Sequence, residues 1–261
     1  MWGGLLGSTS GFSQRAVLWS LVNKNIKAQY AGSVLGLLWA FINPLLLALI
    51  VGFVFTNILN VTVSNFYIYI ISGMLPWGFF SVSLLEASLS IPRHASFLKQ
   101  FPLSKSFIPA AAVLSNFILL LFSLMILLPL FILVSPKIVF MLPVLVMALV
   151  LFLLFTFGIS LITSVMCVEW QDMRQVLNML MMYWLWLTPV FYSVDMVPSK
   201  YKILLLCNPV NVYLSLFRNA LFDGKMPTPW AWGVAVVLAL IMTAGGLFLF
   251  SKREGGFLKK I

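Results

Sequence analysis

Charged side chains, histidine and cysteine are all scarce in this sequence. Only 8% of its 261 residues are charged and 62% are hydrophobic, with one histidine and two cysteines. Because so few charged residues cannot cover the surface of a soluble globular domain, the sequence excludes that class of protein. His94 lies in a basic segment far along the chain from Cys167 and Cys207. A metal site or a catalytic set is therefore not expected, and neither is a cofactor bound by this chain.

Motifs for energy coupling are missing as well. The sequence has no G-x-x-x-x-G-K-[ST] stretch, which is the loop that cradles nucleotide phosphates in P-loop ATPases. The chain is therefore not expected to hydrolyse ATP itself in that way. Acidic residues number only six, and Glu86 is the only one inside a predicted span. Coupling to protons or sodium ions calls for several buried acids near the membrane midplane, so an ion-driven transporter is not favoured.

Long apolar runs fill most of the chain. They continue without the alternation of polar and apolar residues that marks the strands of an outer-membrane barrel, and each is long enough, or nearly so, to cross a bilayer as a helix. The sequence therefore predicts an all-α polytopic membrane protein with one membrane domain. Its six predicted spans cover residues 34–59, 66–90, 107–134, 139–166, 176–192 and 230–250.

The basic residues predict the orientation of these spans. Both terminal segments are basic, and eleven of the sixteen Lys and Arg residues fall on segments that we place inside. By the positive-inside rule, both termini are expected in the cytoplasm. A net charge of +10 would indicate a nucleic-acid partner in a soluble chain. Here it reflects topology and contact with anionic membrane lipids, and no nucleic-acid partner is expected.

Two segments on the predicted inner side combine helical patterning with positive charge. In residues 13–30 apolar side chains recur at helical spacing opposite basic ones, which predicts an amphipathic interface helix. That helix fits two compatible roles, a membrane-surface anchor and a docking face for a cytoplasmic partner. Residues 91–106 form a basic inner loop long enough for a short helix. The basic residues and histidine of the two segments are Arg15, Lys24, Lys27, Arg93, His94, Lys99 and Lys105.

Residues 203–222 are apolar enough to enter the membrane but cannot cross it. They carry Asn208, Pro209, Asn211 and Arg218, and an unpaired Arg at mid-depth costs several kcal/mol. Because six other spans already bring both termini to one side, this segment must enter and leave on the outer side. Irregular backbone at that depth has to be buried in protein or line a wet cavity. We therefore predict a re-entrant element over 195–222, with these four residues at an outer gate.

Aromatic residues cluster in the second and fifth predicted spans. Each one alone is better explained by packing or by a place in the interfacial belt. As a group they would also offer stacking surfaces for sugar rings that move through a channel. The candidates are Tyr69, Trp77, Phe80, Tyr183, Trp184 and Tyr192.

Four stretches in order resemble one protein family. They are Y-A-G-S-V-L-G-L-L-W-A-F-I-N-P-L at 30–45, G-M-L-P-W-G-F-F at 73–80, E-W-Q-D-M-R-Q-V-L at 169–177 and C-N-P-V-N-V-Y-L-S-L-F-R-N-A-L at 207–221. With them the chain resembles the membrane subunit of ABC-2 type polysaccharide exporters, which secrete O-antigen, capsule or teichoic acid chains. The third stretch departs from the commoner arginine-aspartate-isoleucine form. Its inner charge motif consists of Glu169, Asp172 and Arg174.

The resemblance implies a bacterial inner-membrane permease that works as a homodimer with two copies of a separate ATPase, on which ATP and Mg are bound. The substrate it implies is an undecaprenyl-pyrophosphate-linked polysaccharide. It also implies that residues 13–30 and 91–106 engage the ATPase, and that two short helices within 195–222 form the outer gate. Two alternatives stay open from the sequence. One is an ABC-2 permease for a small lipid or drug, and the other is a non-transporting membrane scaffold for glycan assembly.

Overall fold

The computed structural model of the chain describes residues 11–61, 63–100 and 104–257. The tail residues Lys259 and Lys260 and positions 101–103 of the predicted inner loop lie outside this part. Every regular element that the structure describes is helical, without a β-strand. The α-helices of the described residues are α1 (Gly11–Gln29), α2 (Trp39–Phe53), α3 (Phe66–Arg93), α4 (Ala95–Gln100), α5 (Phe107–Val134), α6 (Leu142–Glu169), α7 (Met173–Leu187), α8 (Lys202–Leu206), α9 (Pro209–Arg218) and α10 (Pro229–Arg253).

Five helical segments of the described chain are long and apolar enough to cross a membrane. They are Gly36–Ile58, Phe66–Arg93, Phe107–Val134, Pro136–Glu169 and Pro229–Gly256. These segments contain α2, α3, α5, α6 and α10 and overlap five of the six spans predicted from the sequence. The prediction of an all-α, multi-pass membrane protein is confirmed.

The remaining predicted span, 176–192, has different helical bounds. Its helix, α7, begins at Met173 and ends at Leu187. The end follows from Pro189, because a proline disfavours helical backbone in the residue before it. Thr188 accordingly has φ −101° and ψ 131°, and residues 188–192 continue as a non-helical segment. At 15 residues, α7 is about 22 Å long, shorter than the hydrocarbon core of about 30 Å.

The centre of the bundle is α3. It packs against α2, α5, α6, α7 and α9, and much of it is buried, including Phe80 and Leu84. Its small and aromatic residues let neighbouring helices approach from several directions. The core is therefore organised around α3. Because α3 faces protein and not lipid, it can hold buried polar residues such as Ser72 and Ser83.

The closest helix pair is α6 with α10. A side chain at Gly158 would meet the α10 backbone at Met242 and Thr243, and a Cβ at Gly246 would lie 3.1 Å from the Cα of Gly158. The Thr243 Oγ1 donates a hydrogen bond of 2.8 Å to the Leu154 carbonyl. Small residues at such contacts let membrane helices pack backbone against backbone.

A second, smaller core defines one side of the bundle, which we call the tail side. It joins α1 and α4 to the start of α5 and to the ends of α3, α6 and α10. Its fully or nearly fully buried members are Leu21, Val22, Ile91, Leu98, Ile108, Ala111, Leu161, Val165, Phe250 and Phe257. The apolar face predicted for 13–30 therefore packs against protein, mainly α5, while Trp19 remains 57% exposed.

The opposite side, called the α9 side, carries the short elements. Two 3-10 turns, Val194–Met196 and Ser199–Tyr201, lead into α8 and α9. A π-helical turn, Asn219–Asp223, then follows α9 and ends at Gly224, whose φ of +57° favours glycine. These elements contact the turn after α5 and the α3 helix, so they form a cap over one end of the bundle.

Candidate functional site

The local sequence fixes both ends of α9. At its start, the Asn208 side chain accepts a hydrogen bond from the Val210 N–H, which is an N-cap, and Pro209 occupies the first helical turn. Asparagine and proline are favoured at these two positions because they satisfy and pre-shape the first turn. The helix continues to Arg218, which is only 6% exposed.

Asn208 connects α9 to the end of α7. Its Oδ1 accepts from the Trp184 indole N–H at 3.1 Å and from the Val210 N–H at 3.1 Å. Its Nδ2 donates to Thr188 Oγ1 at 2.9 Å. The side chain is 7% exposed, so these bonds are made largely away from water. Asn208 is therefore the polar link that holds the start of α9 to the residues that follow α7.

Arg218 makes the corresponding link at the other end of α9. Its Cζ lies 3.9 Å from the centroid of the Tyr69 ring on α3, and its Nη2 donates to the Val190 carbonyl at 3.0 Å. The Tyr69 hydroxyl in turn donates to the Tyr192 carbonyl at 3.0 Å. A planar guanidinium suits this arrangement because it stacks on the ring and donates in the same plane. Arg218 thus joins α9, α3 and the segment 188–192.

Two neighbours complete the surroundings of Arg218. A Cβ on Gly73 would lie 3.1 Å from its Nη2, so glycine at this position leaves room for the guanidinium. Nearby, burial raises the pKa of the Asp223 carboxyl, and the Lys225 and Arg218 cations oppose that rise. The mid-depth Arg that the sequence flagged is therefore held by an aromatic face and a carbonyl.

Lysine in place of Arg218 is expected to loosen α9. Lysine keeps the charge but loses the flat stack on Tyr69 and the Val190 bond. A cation–π contact contributes about 0.5–2 kcal/mol and a bond from a charged donor about 1.5–3 kcal/mol. We expect a lower unfolding temperature in detergent and faster thiol labelling of the exposed Cys207. Lys225→Arg is the control at an exposed cation, and equal labelling in both variants would contradict the assignment.

The six predicted channel aromatics occupy different environments in the single chain. Tyr69, Trp77 and Phe80 are at most 7% exposed, and Trp77 and Phe80 lie edge-on to Trp184 at centroid distances of 6.4 Å and 5.5 Å. Trp184 and Tyr192 are half-buried, and Tyr183 is 61% exposed. The structure thus brings Tyr69, Trp77, Phe80 and Trp184 into one packed group with α9. A channel-lining role stays a prediction.

The predicted ATPase-contact residues all belong to tail-side elements. His94 caps the end of α3, since its Nδ1–H donates to the Ser90 carbonyl at 2.9 Å. Lys105 is half-buried, and its Nζ donates to the Glu254 carbonyl at 2.6 Å. The residues of this set that are exposed are Arg15, Lys24, Lys27, Arg93 and Lys99.

The inner charge motif divides between two settings. Glu169 ends α6, and its Oε1 lies 3.1 Å from Nη1 of Arg253 at the end of α10. Asp172 and Arg174 are exposed at the start of α7. Sequence inspection missed the pairing with Arg253, because nothing in the local motif indicates that two distant helix ends meet.

Glu86 has a partner that the sequence did not reveal. The Asn116 Nδ2 donates to its Oε2 at 2.7 Å, between α3 and α5. The carboxyl group borders a cavity of about 240 Å³ whose lining includes Asn25, Arg93 and His94. A half-buried acid with an amide partner at a helix contact fits the interfacial role that its place in the sequence favours.

The sequence is similar to one transporter family and to several of its members. Residues 16–222 match the family described as ABC-2 type transporter. The chain is 28% identical over 241 residues to the O-antigen export system permease protein RfbA of Klebsiella pneumoniae, covering 91% of this chain and 92% of that protein. It is 27% identical over 254 residues to the protein of that name from Myxococcus xanthus, covering 93% and 95%. It is 23% identical over 253 residues to the polysialic acid transport protein KpsM of Escherichia coli, covering 95% and 98%.

Proposed function

The chain belongs to the ABC-2 type transporter family, and from this premise we propose that it is the permease subunit of an ABC transporter that exports a lipid-linked polysaccharide. The carrier we propose is undecaprenyl pyrophosphate and the glycan an O-antigen. The observation that carries the proposal is similarity along 91% of the chain to O-antigen export permeases. The similarity to a polysialic acid transport protein supports a polysaccharide cargo over a small drug.

In this proposal the tail side faces the cytoplasm of a bacterium and the α9 side faces out of the inner membrane. Both termini are then cytoplasmic, as the basic residues predict. The short helix α7, extended by residues 188–192, makes the sixth crossing. The elements α8 and α9 form the re-entrant outer gate, held by Asn208 and Arg218 at the two ends of α9.

Energy comes from a separate ATPase in this proposal. The chain itself has no P-loop sequence, so ATP and Mg bind to the partner. The exposed cations of α1, α3 and α4 on the tail side supply a surface for that partner, and Coulomb attraction speeds and orients such encounters. A pyrophosphate head is attracted to the same cations at the cytoplasmic entrance.

In this proposal two copies of the chain form the conduit between them. Among α7 side chains only Leu177 and Met181 are buried, while Tyr183 and Trp186 are 61% and 58% exposed. An apolar, aromatic face with few contacts to its own chain suits a second copy of the subunit. We therefore assign α7 to the interface between two copies.

The function is tested by export in living cells. Cells that lack the permease should make the glycan but keep it on the inner leaflet, and the restored chain should return it to the surface. Co-expression with its ATPase should yield a stable complex that hydrolyses ATP. Purification without any ATPase, with impaired glycan assembly in the deletion strain, would favour a scaffold. Stimulation of hydrolysis by small lipids alone would favour a lipid permease.

Removing the cations of the inner loop is expected to weaken ATPase binding. Arg93 and Lys99 are exposed, so alanine at both should leave the bundle folded. Exposed ion pairs contribute about 0.2–1 kcal/mol each, so losing two should weaken the association by up to about thirtyfold, and the effect should shrink at high salt. The loss of affinity is measured by binding of the ATPase to the permease in nanodiscs. The matched control is Lys200→Ala with Lys225→Ala, which removes the same charge on the α9 side. Equal binding by both double variants would contradict the proposed docking surface.

A further inference from the structure

The last membrane helix, α10, contacts functional elements at both of its ends. Near its start the carbonyl of Ala235 is bonded to α9, and just beyond its end the carbonyl of Glu254 is bonded to the inner loop. These two carbonyls are separated by about 28 Å at the rise of an α-helix.

At the tail side, three contacts hold the end of α10. Lys105, which follows α4, donates to the Glu254 carbonyl at 2.6 Å, and Arg253 pairs with Glu169 at 3.1 Å. Phe257 is 1% exposed and lies edge-on to Phe250, with ring centroids 5.3 Å apart. The chain after α10 therefore folds back into the small core that also contains α1 and α4. A movement of the inner loop must carry this tail with it.

At the α9 side, one hydrogen bond joins α10 to the middle of α9. The Tyr213 hydroxyl donates to the Ala235 carbonyl at 2.8 Å, and both residues are 0% exposed. A helical carbonyl has a second lone pair, so it accepts this bond beside its own helical bond. Leaving the hydroxyl unpaired in this buried place would cost about 1–3 kcal/mol. The centre of α9 is thus tied to α10.

Between its two ends α10 has little room to bend. Gly158 and Gly246 bring its backbone directly against that of α6, and Thr243 donates to the Leu154 carbonyl. Close-packed helix pairs move as rigid bodies, because packed cores switch between arrangements and do not deform smoothly. A displacement at Glu254 is therefore delivered at Ala235.

We propose that α10, with its tail Glu254–Gly256 and Phe257, is the positioning element that carries movement of the inner loop to α9. The proposal rests on the proposed function, since an ATPase supplies the movement. In it, Lys105 and Phe257 fix the loop to the tail, and Tyr213 fixes α9 to the other end. ATP-driven movement of the loop shifts α10 along with α6 and displaces α9 from its resting position.

The chain contains a natural reporter for this movement. Cys207 is exposed and directly precedes Asn208 at the start of α9, and Cys167→Ser leaves it as the only thiol. The complex with its ATPase is placed in right-side-out vesicles loaded with ATP and Mg. A membrane-impermeant maleimide is then added outside. In the complex without further substitutions, the maleimide should label Cys207 at a different rate when ATP is present.

Two variants interrupt the path at separate points: Tyr213→Phe at the α9 side and Phe257→Ala at the tail side. Tyr213→Phe should reduce the ATP-dependent change in labelling about fivefold, the effect of losing one bond of about 1 kcal/mol. Phe257→Ala, which removes a buried ring, should reduce that change at least as much, and ATPase binding and hydrolysis should remain in both variants. The matched controls are Tyr201→Phe and Phe248→Ala, at side chains that are 48% and 69% exposed. Both controls should behave as wild type. A merely structural defect would lower the yield of complex and leave the ATP response of the folded fraction unchanged.

Two results would overturn the proposal. One is a full ATP-dependent change in both variants, which would mean that movement reaches α9 by another route. The other is a wild-type complex that hydrolyses ATP and exports glycan with no change at Cys207. Failure of the proposed function is a different observation, since then the wild-type chain neither binds an ATPase nor exports.

Discussion

Replacing Gly158 by leucine is expected to prevent assembly of the membrane bundle. A side chain at this position would meet backbone atoms of Met242 and Thr243 on α10, and backbone cannot rotate aside as a side chain does. Overpacking a well-filled core costs about 1–3 kcal/mol and occasionally more, and a leucine placed against backbone that cannot yield costs more than that range. Since natural proteins are stable by only about 5–15 kcal/mol, we expect little folded protein.

The matched control lies on the partner helix. Gly245 is adjacent to the contact residue Gly246, but a Cβ there meets nothing within 4 Å. Gly245→Leu should therefore be produced and extracted like wild type, and Gly158→Ala should fall between the two. The yield of monodisperse protein and its unfolding temperature in one detergent measure the series. Equal yields from the two leucine variants would refute the backbone contact between α6 and α10.

Alanine at Asn208 is expected to release the start of α9 and open the resting membrane to ions. The substitution removes the N-cap of α9, which contributes about 1 kcal/mol. It also leaves the Trp184 indole N–H without its acceptor, at a cost of about 1–3 kcal/mol. We expect α9 to be destabilised by about 2–4 kcal/mol, so that an outer gate built on it no longer closes fully.

Resting conductance in planar bilayers, without ATP, measures this effect. Asn211→Ala serves as the control because Asn211 is in the same helix and makes one bond, from Nδ2 to the Leu205 carbonyl at 3.0 Å. Asn208→Asp keeps an acceptor for Val210 and Trp184 and should leak less than Asn208→Ala. If Asn208→Ala shows no added conductance although labelling of Cys207 shows that its α9 is loosened, then the contacts of Asn208 do not keep the gate closed.

The sequence indicated which residues of the candidate site are important, but it did not indicate which residues they contact. The polar residues Asn208 and Arg218 stand out inside an apolar run, so their importance follows from the cost of placing them in a membrane. Their partners, Trp184 and Tyr69, are 24 and 149 residues away in sequence, by subtraction of their numbers. No local pattern indicates such pairs. Lys105 is similar: its charge predicted an inner loop, and only the fold shows its bond to Glu254.

The sequence by itself determined the class of protein, because apolar runs of membrane length and the cost of unpaired backbone in lipid leave helices as the only solution. It also contains the signals that end α7 and begin α9, since Pro189 acts on the residue before it and Asn208 with Pro209 suits a helix start. Tertiary structure decided which helices meet. The approach of Gly158 to α10, the stack of Arg218 on Tyr69 and the bond from Tyr213 to Ala235 depend on side-chain packing between segments far apart in the chain, where hydropathy carries no information on partners.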